Sequence, residues 1–310
     1  MSIVVTGASG FIGRAVVQRL LEDGRRVVSL GRTDPQIPGL AHHAWDIREP
    51  ADASALRALP YLETVVHCAG LVDDWSDADD LHAVNVTGTR HVLDAFPDQR
   101  IIHLSSTDVY DPQREHHRLY EEAGPVAEDR YPEPGPALSK ALAEAVVQRV
   151  RPQALVLRPA VVYGPGDTTL FPRLRATIEN GTLRIPGGGR KQMTLTHIDT
   201  LTGAVLAGID RPGVSGPINV GDPKPYVLKD ALLTYLARTG EEQVELDEVA
   251  ADLALAKTWY AERRARKKGG RPPITRYTIR QVVHERTYDL TRLEQQLGFT
   301  GVQHLAPRRA

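Results

Sequence analysis

Sulfur is nearly absent from this 310-residue chain, which holds one cysteine, Cys68, and two methionines. No disulfide framework can form within it, and its eleven histidines are scattered without ligand spacing, so no metal is implied. An excess of charge of one sign is also missing. Lysine and arginine total 38 against 39 acids, so no global field would gather the chain onto nucleic acid or an anionic membrane. No apolar run approaches the ~18 residues of a membrane span, no charged leader precedes the strand-like Ile3-Val4-Val5, and no repeat with a period of about 20 to 50 residues is present. The expectation is a soluble, cytoplasmic protein whose partner is a small molecule, with no nucleic acid, no membrane and no particular oligomeric state specified.

What is present is an alternation. Short β-branched runs at 3–5, 26–30, 64–67, 101–105 and 154–158 are separated by amphipathic segments, the pattern of an α/β fold with a doubly wound parallel sheet of Rossmann type. Ile12, Val16, Val17, Leu20 and Leu21 recur at helical spacing, and Gly24 ends that helix. After Arg158-Pro159 the texture becomes loop-rich, with Gly164-Pro165-Gly166, Pro186-Gly187-Gly188-Gly189 and four more prolines between 212 and 225. The expected organisation is a dinucleotide-binding domain over 1–163, a strand near 217–220 returning to its sheet, and a smaller, discontinuous C-terminal α/β substrate domain mainly over 164–310. The basic run at 262–271 reads as a solvated helix end in preference to a nucleic-acid arm.

Gly7, Gly10 and Gly13 follow the first strand and open the first helix, with Ser9, Phe11 and Ile12 between them. That context makes a glycine pattern specific. A tight turn without Cβ, close approach of backbone to a pyrophosphate, and close helix–sheet packing each need glycine, and the N–H groups at the helix start then meet phosphate charge.

The loop Thr6-Gly7-Ala8-Ser9-Gly10-Phe11-Ile12-Gly13 is joined by Val65-Val66-His67-Cys68-Ala69-Gly70, Asn85-Val86-Thr87-Gly88-Thr89, Ser105-Ser106-Thr107-Asp108-Val109-Tyr110, Ser139-Lys140-Ala141-Leu142-Ala143-Glu144 and the stretch from Arg158 to Asp167. Together these resemble the extended short-chain dehydrogenase/reductases, the NAD-dependent epimerase/dehydratase family, over almost the whole chain. The tail Pro272-Pro273-Ile274-Thr275-Arg276-Tyr277 with Tyr288-Asp289-Leu290 and Leu297-Gly298-Phe299 is similar to the family's 3β-hydroxysteroid dehydrogenase-like branch. The resemblance implies an NAD(P)H-dependent oxidoreductase. It also implies that Asp46 and Ile47 frame the adenine, Ala69 and Gly70 the pyrophosphate and ribose, and the backbone at Pro159, Val161 and Val162 the nicotinamide amide. Lys140 would hold the nicotinamide ribose, Ser106 would bond the substrate oxygen, Asn85 would tie helix to strand, and His67 and Cys68 would pack. At the end of the second strand Gly31-Arg32 stands where NAD enzymes carry an acid and NADP enzymes tend to carry an arginine. A guanidinium can grip a 2′-phosphate through paired charge-assisted hydrogen bonds, so NADP(H) is favoured, while Asp34 nearby keeps NAD(H) open.

The family's chemistry pairs Lys140 with a tyrosine four residues earlier, and this chain has Pro136 there. Gly135-Pro136 suits a helix start, so the helix survives while the acid is lost. Tyr131 could fold back from its proline-rich loop, whereas Tyr110 and Tyr163 lie in motifs where tyrosine is ordinary. A hydroxyl beside the reacting carbonyl could instead hand over its own proton, stabilised by Ser106. This Tyr-less pattern resembles angucyclinone-type aromatic-polyketide ketoreductases of antibiotic biosynthesis. The leading expectation is therefore an NADPH-dependent ketoreductase acting on a small-molecule ketone, plausibly an aromatic polyketide, with the proton from substrate or solvent. A non-redox lyase or epimerase with Asp108 as base and a catalytically silent NADP(H)-binding protein are the alternatives. The substrate pocket is expected from 73–76, 168–173 and the region of Met193.

Overall fold

The computed structural model describes residues 2–57 and 59–305. The five β-branched runs become neighbouring strands: β1 (Ser2–Thr6), β2 (Arg26–Gly31), β4 (Thr64–His67), β5 (Arg100–Leu104) and β7 (Leu155–Pro159). With β3 (Ala41–Ala44) and β12 (Gly216–Val220) at the edges they form a parallel sheet in the order β12-β7-β5-β4-β1-β2-β3. Strand β12 pairs with β7 as anticipated from Pro217 onward, whereas β3 has no sequence signature. Its residues Ala-His-His-Ala lack β-branching, and the half-exposed edge position tolerates them. The order reverses between β1 and β4, and the crevice at a reversal is where ligands bind in such sheets.

Every residue of β1 is buried because both faces of the sheet are covered. Ile3 and Val5 join one core with Val16, Val17 and Leu20 of helix α1 (Phe11–Glu22). Val4 points the other way, into a core with Val92, Leu93 and Val147. The first two belong to the helix Gly88–Ala95 and Val147 to α5 (Pro136–Val150). A separate core gathers Phe171, Leu183, Ile185, Met193, Leu195, Leu228 and Leu232 from the C-terminal half. A short ladder spans the two halves, because β15 (Arg286–Tyr288) pairs with both β6 (His116–Leu119) and β10 (Gln192–Met193).

Helix α5 is anchored by a charge pair with no exposure to solvent: Arg158 of β7 and Glu144 of α5. The guanidinium Nε lies 3.1 Å from both carboxylate oxygens, and Ser105 donates to the same carboxylate. The remaining guanidinium hydrogens go to Tyr110 Oη at 3.0 Å and to the carbonyls of Glu121 and Gly124 at 2.7 and 2.8 Å. Every donor has an acceptor, the condition under which a buried pair holds its geometry. Glu144→Ala should cost about 3–5 kcal/mol of unfolding free energy by leaving an uncompensated buried cation. Denaturant titration measures this, and a loss under 1 kcal/mol would contradict the assignment.

Candidate active site

The glycine loop is shaped by sterics more than by hydrogen bonding. Gly7 has φ +73°, and a Cβ there would stand 2.6 Å from Ala69 Cα. A Cβ on Gly13 would meet the Gly7 carbonyl oxygen at 2.2 Å. Loop, helix and the end of β4 are thus as close as backbones allow. Helix α1 starts from Gly10 with no side-chain cap and no acid in its first turn, so its leading N–H groups are left for an anion. Ser9 is exposed over this turn, Ile12 is half-buried, and Phe11 carries the Gly166 turn against its ring.

Arg32 is exposed just beyond β2, near enough to Asp46 to act on it electrostatically. Hydrogen bonds from Arg48 hold the Asp46 carboxyl below its ordinary range. The Ile47 side chain is buried against Gly88, so toward a ligand it offers backbone. Gly70 lies between the Asn85 amide and the Lys140 ammonium, with a Cβ position 3.3 and 3.4 Å from them, and Ala69 precedes it. Asn85 grips Leu71 through both backbone groups, at 2.7 and 2.8 Å, and donates to Ser139 of α5 at 2.8 Å, so the tie expected of it is made. Pro159 is buried at the end of β7, with Val161 and Val162 half-buried in β8 (Val161–Tyr163). This set of close backbones, unpaired helix N–H groups and a lysine beside Gly70 fits an extended dinucleotide.

On α5, Pro136, Lys140 and Glu144 follow one another at one-turn spacing. Pro136 occupies the first helical position. Lys140 donates to the Leu104 carbonyl at 2.6 Å, and burial pushes its pKa down to about 8. Ser106, half-buried at the end of β5, caps a short turn: its Oγ accepts from the Asp108 N–H and donates to Asp108 Oδ2, both at 3.1 Å. His67 is buried and bonds Thr6 of β1 and Thr89 of the helix Gly88–Ala95.

Four tyrosines line the adjoining pocket, and each hydroxyl is already engaged. Tyr110 donates to Asn219, and Tyr288 lies 3.0 Å from His116 Nδ1. Tyr131 does fold back, packing with Ala137 and Ala141, but its hydroxyl donates to the Asp108 carbonyl at 3.3 Å. Tyr277 donates to Asp108 Oδ2 at 2.7 Å, and Gln281 donates to Oδ1 at 2.8 Å. Burial raises the pKa of Tyr131 and of Tyr277, and the Asp108 carboxylate raises both further. Tyr163 lies elsewhere, bonded to Asp222 and Tyr226.

The pocket departs from its expected outline. Asp74, Trp75 and Ser76 do line it, but Met193 is fully buried in the second core together with Phe171. The opposite wall comes from α9 (Ala251–Lys268) and α10 (Arg276–Val283), through Glu262, Arg266, Tyr277 and Gln281. Asp74 fastens the two walls by accepting from Thr278 Oγ1 at 3.1 Å, from Arg173 at 2.7 Å and from Thr275. Tyr277 and Gln281 were missed as Asp108 partners; their i, i+4 spacing marks one helix face but cannot say what it faces. His197, Asp199 and His304 also converge, within 4.8 Å of one another, although nothing in their spacing shows it. The two imidazoles stack face to face 3.6 Å apart over the start of the helix Ile198–Asp210.

Gly13→Ala should abolish dinucleotide binding, since the added methyl requires the loop to move by more than an ångström. Fluorescence titration with NADPH, alongside circular dichroism to confirm folding, tests this; unchanged affinity would show that the loop is not the phosphate site.

Comparison with known proteins agrees with this geometry. A 2-alkyl-3-oxoalkanoate reductase of Stenotrophomonas maltophilia is 28% identical over 96% of this chain and 94% of its own length. A 4-hydroxy-2-methyl-3-oxo-4-farnesyl-3,4-dihydroquinoline-1-oxide ketoreductase of Stigmatella aurantiaca is 26% identical over 97% and 92%. Among solved structures, UDP-glucuronic acid 4-epimerase from Bacillus cereus in complex with NAD superposes with a TM-score of 0.75 at 19% identity, covering 98% of this chain and 95% of that one. The model of the NAD dependent epimerase/dehydratase family matches residues 3–221, and this chain is a member of that enzyme family, built to use a nicotinamide cofactor.

Proposed function

We propose that the protein is a ketoreductase that prefers NADPH and acts on a ketone carrying a second oxygen function close to the carbonyl, as an aromatic polyketide does. The reading is carried by Lys140 beside Gly70 and Ser106 next in sequence to the pocket residues Thr107 and Asp108, with a proline one turn before the lysine. Bound NADPH supplies the hydride. Lys140 holds the ribose, and Ser106 turns its hydroxyl from Asp108 to the substrate oxygen, bonding most strongly as negative charge develops there.

The proton then has to come from elsewhere than a lysine-activated phenol. The pocket tyrosines are engaged, and burial makes Tyr131 and Tyr277 hold their protons more tightly. A hydroxyl beside the carbonyl, or solvent, is the source that needs no further side chain. The names of the two reductases support a ketone with a second oxygen function close by, one with its 3-oxo group next to a 4-hydroxyl and the other with a 3-oxo group one carbon from a carboxylate, and the first carries the neighbouring hydroxyl. Asp108 is poorly placed as the base of a lyase, because Ser106, Tyr277 and Gln281 already donate to its carboxylate. A silent sensor would have no use for so polar a pocket.

Four measurements test the reading. NADPH oxidation should be seen with ketones bearing a neighbouring hydroxyl and not with matched ketones lacking it; equal turnover of both sets would refute the proton source. Ser106→Ala should lower kcat about 10²–10³-fold on the competent ketones. Arg32→Ala should weaken NADPH binding by roughly 10–100-fold, the worth of a lost charge-assisted pair, and leave NADH nearly unchanged. Lys140 is charged below about pH 8 and neutral above it, so wild-type affinity for the cofactor should fall as pH rises through that value. Lys140→Met should be weak at every pH, without that step.

A further inference from the structure

Helix α9 is amphipathic in an unusual sense. Its inward stripe is small: Ala254 is buried, and Ala251, Leu255, Thr258, Ala261 and Ala265 are half-buried. Glu262 is the one large buried group, holding the backbone and guanidinium of Arg276 at the start of α10. The bulky apolar side chains point outward instead, with Leu253 and Trp259 each 48% exposed and Tyr260 64% exposed. A helix that merely covered the pocket would put these residues inside and alanines outside.

Leu253, Tyr260 and Lys267 lie in one column at i, i+7 and i+14, in the middle of the exposed arc. Around them stand Lys257, Arg263, Arg264, Arg266 and Lys268, while Asp252 is the one acid on that arc. Residues 251–271 hold seven lysines and arginines against two acids in a chain whose net charge is −1, so the positive charge is local to this helix and its end. The Arg263 guanidinium sits over the Trp259 ring, 5.5 Å from its centroid. The pocket rim is continuous with this surface: Arg266 lies 4.6 Å from the Trp75 ring centroid, Trp75 Nε1 donates to the Gly270 carbonyl at 3.1 Å, and Asp73 pairs with Arg271 at 2.6 Å. Val72, on the same loop, is 58% exposed.

We propose that α9 is a peripheral docking helix that lays Leu253, Trp259 and Tyr260 into the headgroup region of an anionic lipid bilayer, with its arginines and lysines on the lipid phosphates. Interleaved aromatic and basic residues on an interfacial helix suit this boundary: the rings take the half-wet layer and the cations the negative surface. Nucleic acid would engage the cations and leave Leu253 exposed, which makes it the weaker fit. No described helix is long and apolar enough to cross a membrane, so the association is one of surface contact.

The test is flotation of the full chain with vesicles of phosphatidylcholine alone and of phosphatidylcholine with phosphatidylglycerol, and it needs neither substrate nor turnover. Binding should appear on the anionic vesicles only, weaken as salt is raised, and shift the tryptophan emission to the blue in the wild type but not in the variant that lacks Trp259. Arg264→Glu/Lys267→Glu/Lys268→Glu and Trp259→Ala/Tyr260→Ala should each lose roughly tenfold in vesicle binding while NADPH binding stays as in wild type. The proposal falls if anionic vesicles are not bound, if neutral vesicles bind equally, if the variants bind as wild type, or if duplex DNA competes the protein off the lipid. Retained NADPH binding and ketone reduction in the variants separates failure here from failure of the ketoreductase reading.

Discussion

The site depends on a pair of charges that never meets water. Glu144 lies one turn beyond Lys140 on α5, and Arg158 fixes it from β7 while reaching the carbonyls of Glu121 and Gly124 and the hydroxyl of Tyr110. Helix, central strand and the chain leading into the pocket therefore share one guanidinium. Its worth lies less in net stability than in allowing a single placement of Lys140 against Gly70. A well-packed apolar pair could hold α5 as firmly but would leave it freer to slide.

The parts of the molecule legible in the sequence are those governed by short-range physics. A glycine forced by a backbone 2.2 Å away leaves its mark within a seven-residue stretch, and a strand buried on both faces is written as an unbroken β-branched run. The first helix and five of the seven strands of the central sheet were visible for that reason. Strand β3 was not, since an edge position asks little of its side chains. The pocket wall was misplaced for a different reason: Tyr277 and Asp108 are 169 residues apart, and neither residue type announces the other. Met193, expected near the ligand, is spent on the second core.

Proline at position 136 shows how one residue can be structurally ideal and chemically disruptive. As the first residue of α5 it has no N–H to waste, and the extended Gly135 before it sets the entry. It also leaves the lysine one turn later with no hydroxyl partner at this position of the helix. The electrostatics around it do not restore an acid, since the Asp108 carboxylate in the same pocket is surrounded by donors and makes neighbouring phenols less willing to ionise.

The family match ends at residue 221, yet the wall facing Ser106 and Asp108 is built from residues between 262 and 288. Glycine loop, sheet and lysine thus sit on one stretch of chain together with one side of the pocket, and the facing wall that a ligand's shape must also satisfy sits on another. A lineage inheriting this arrangement can redraw the second stretch by drift or recombination while the first stays constant. Relatives handling unlike molecules with one shared cofactor loop are what such a division of the polypeptide would leave behind.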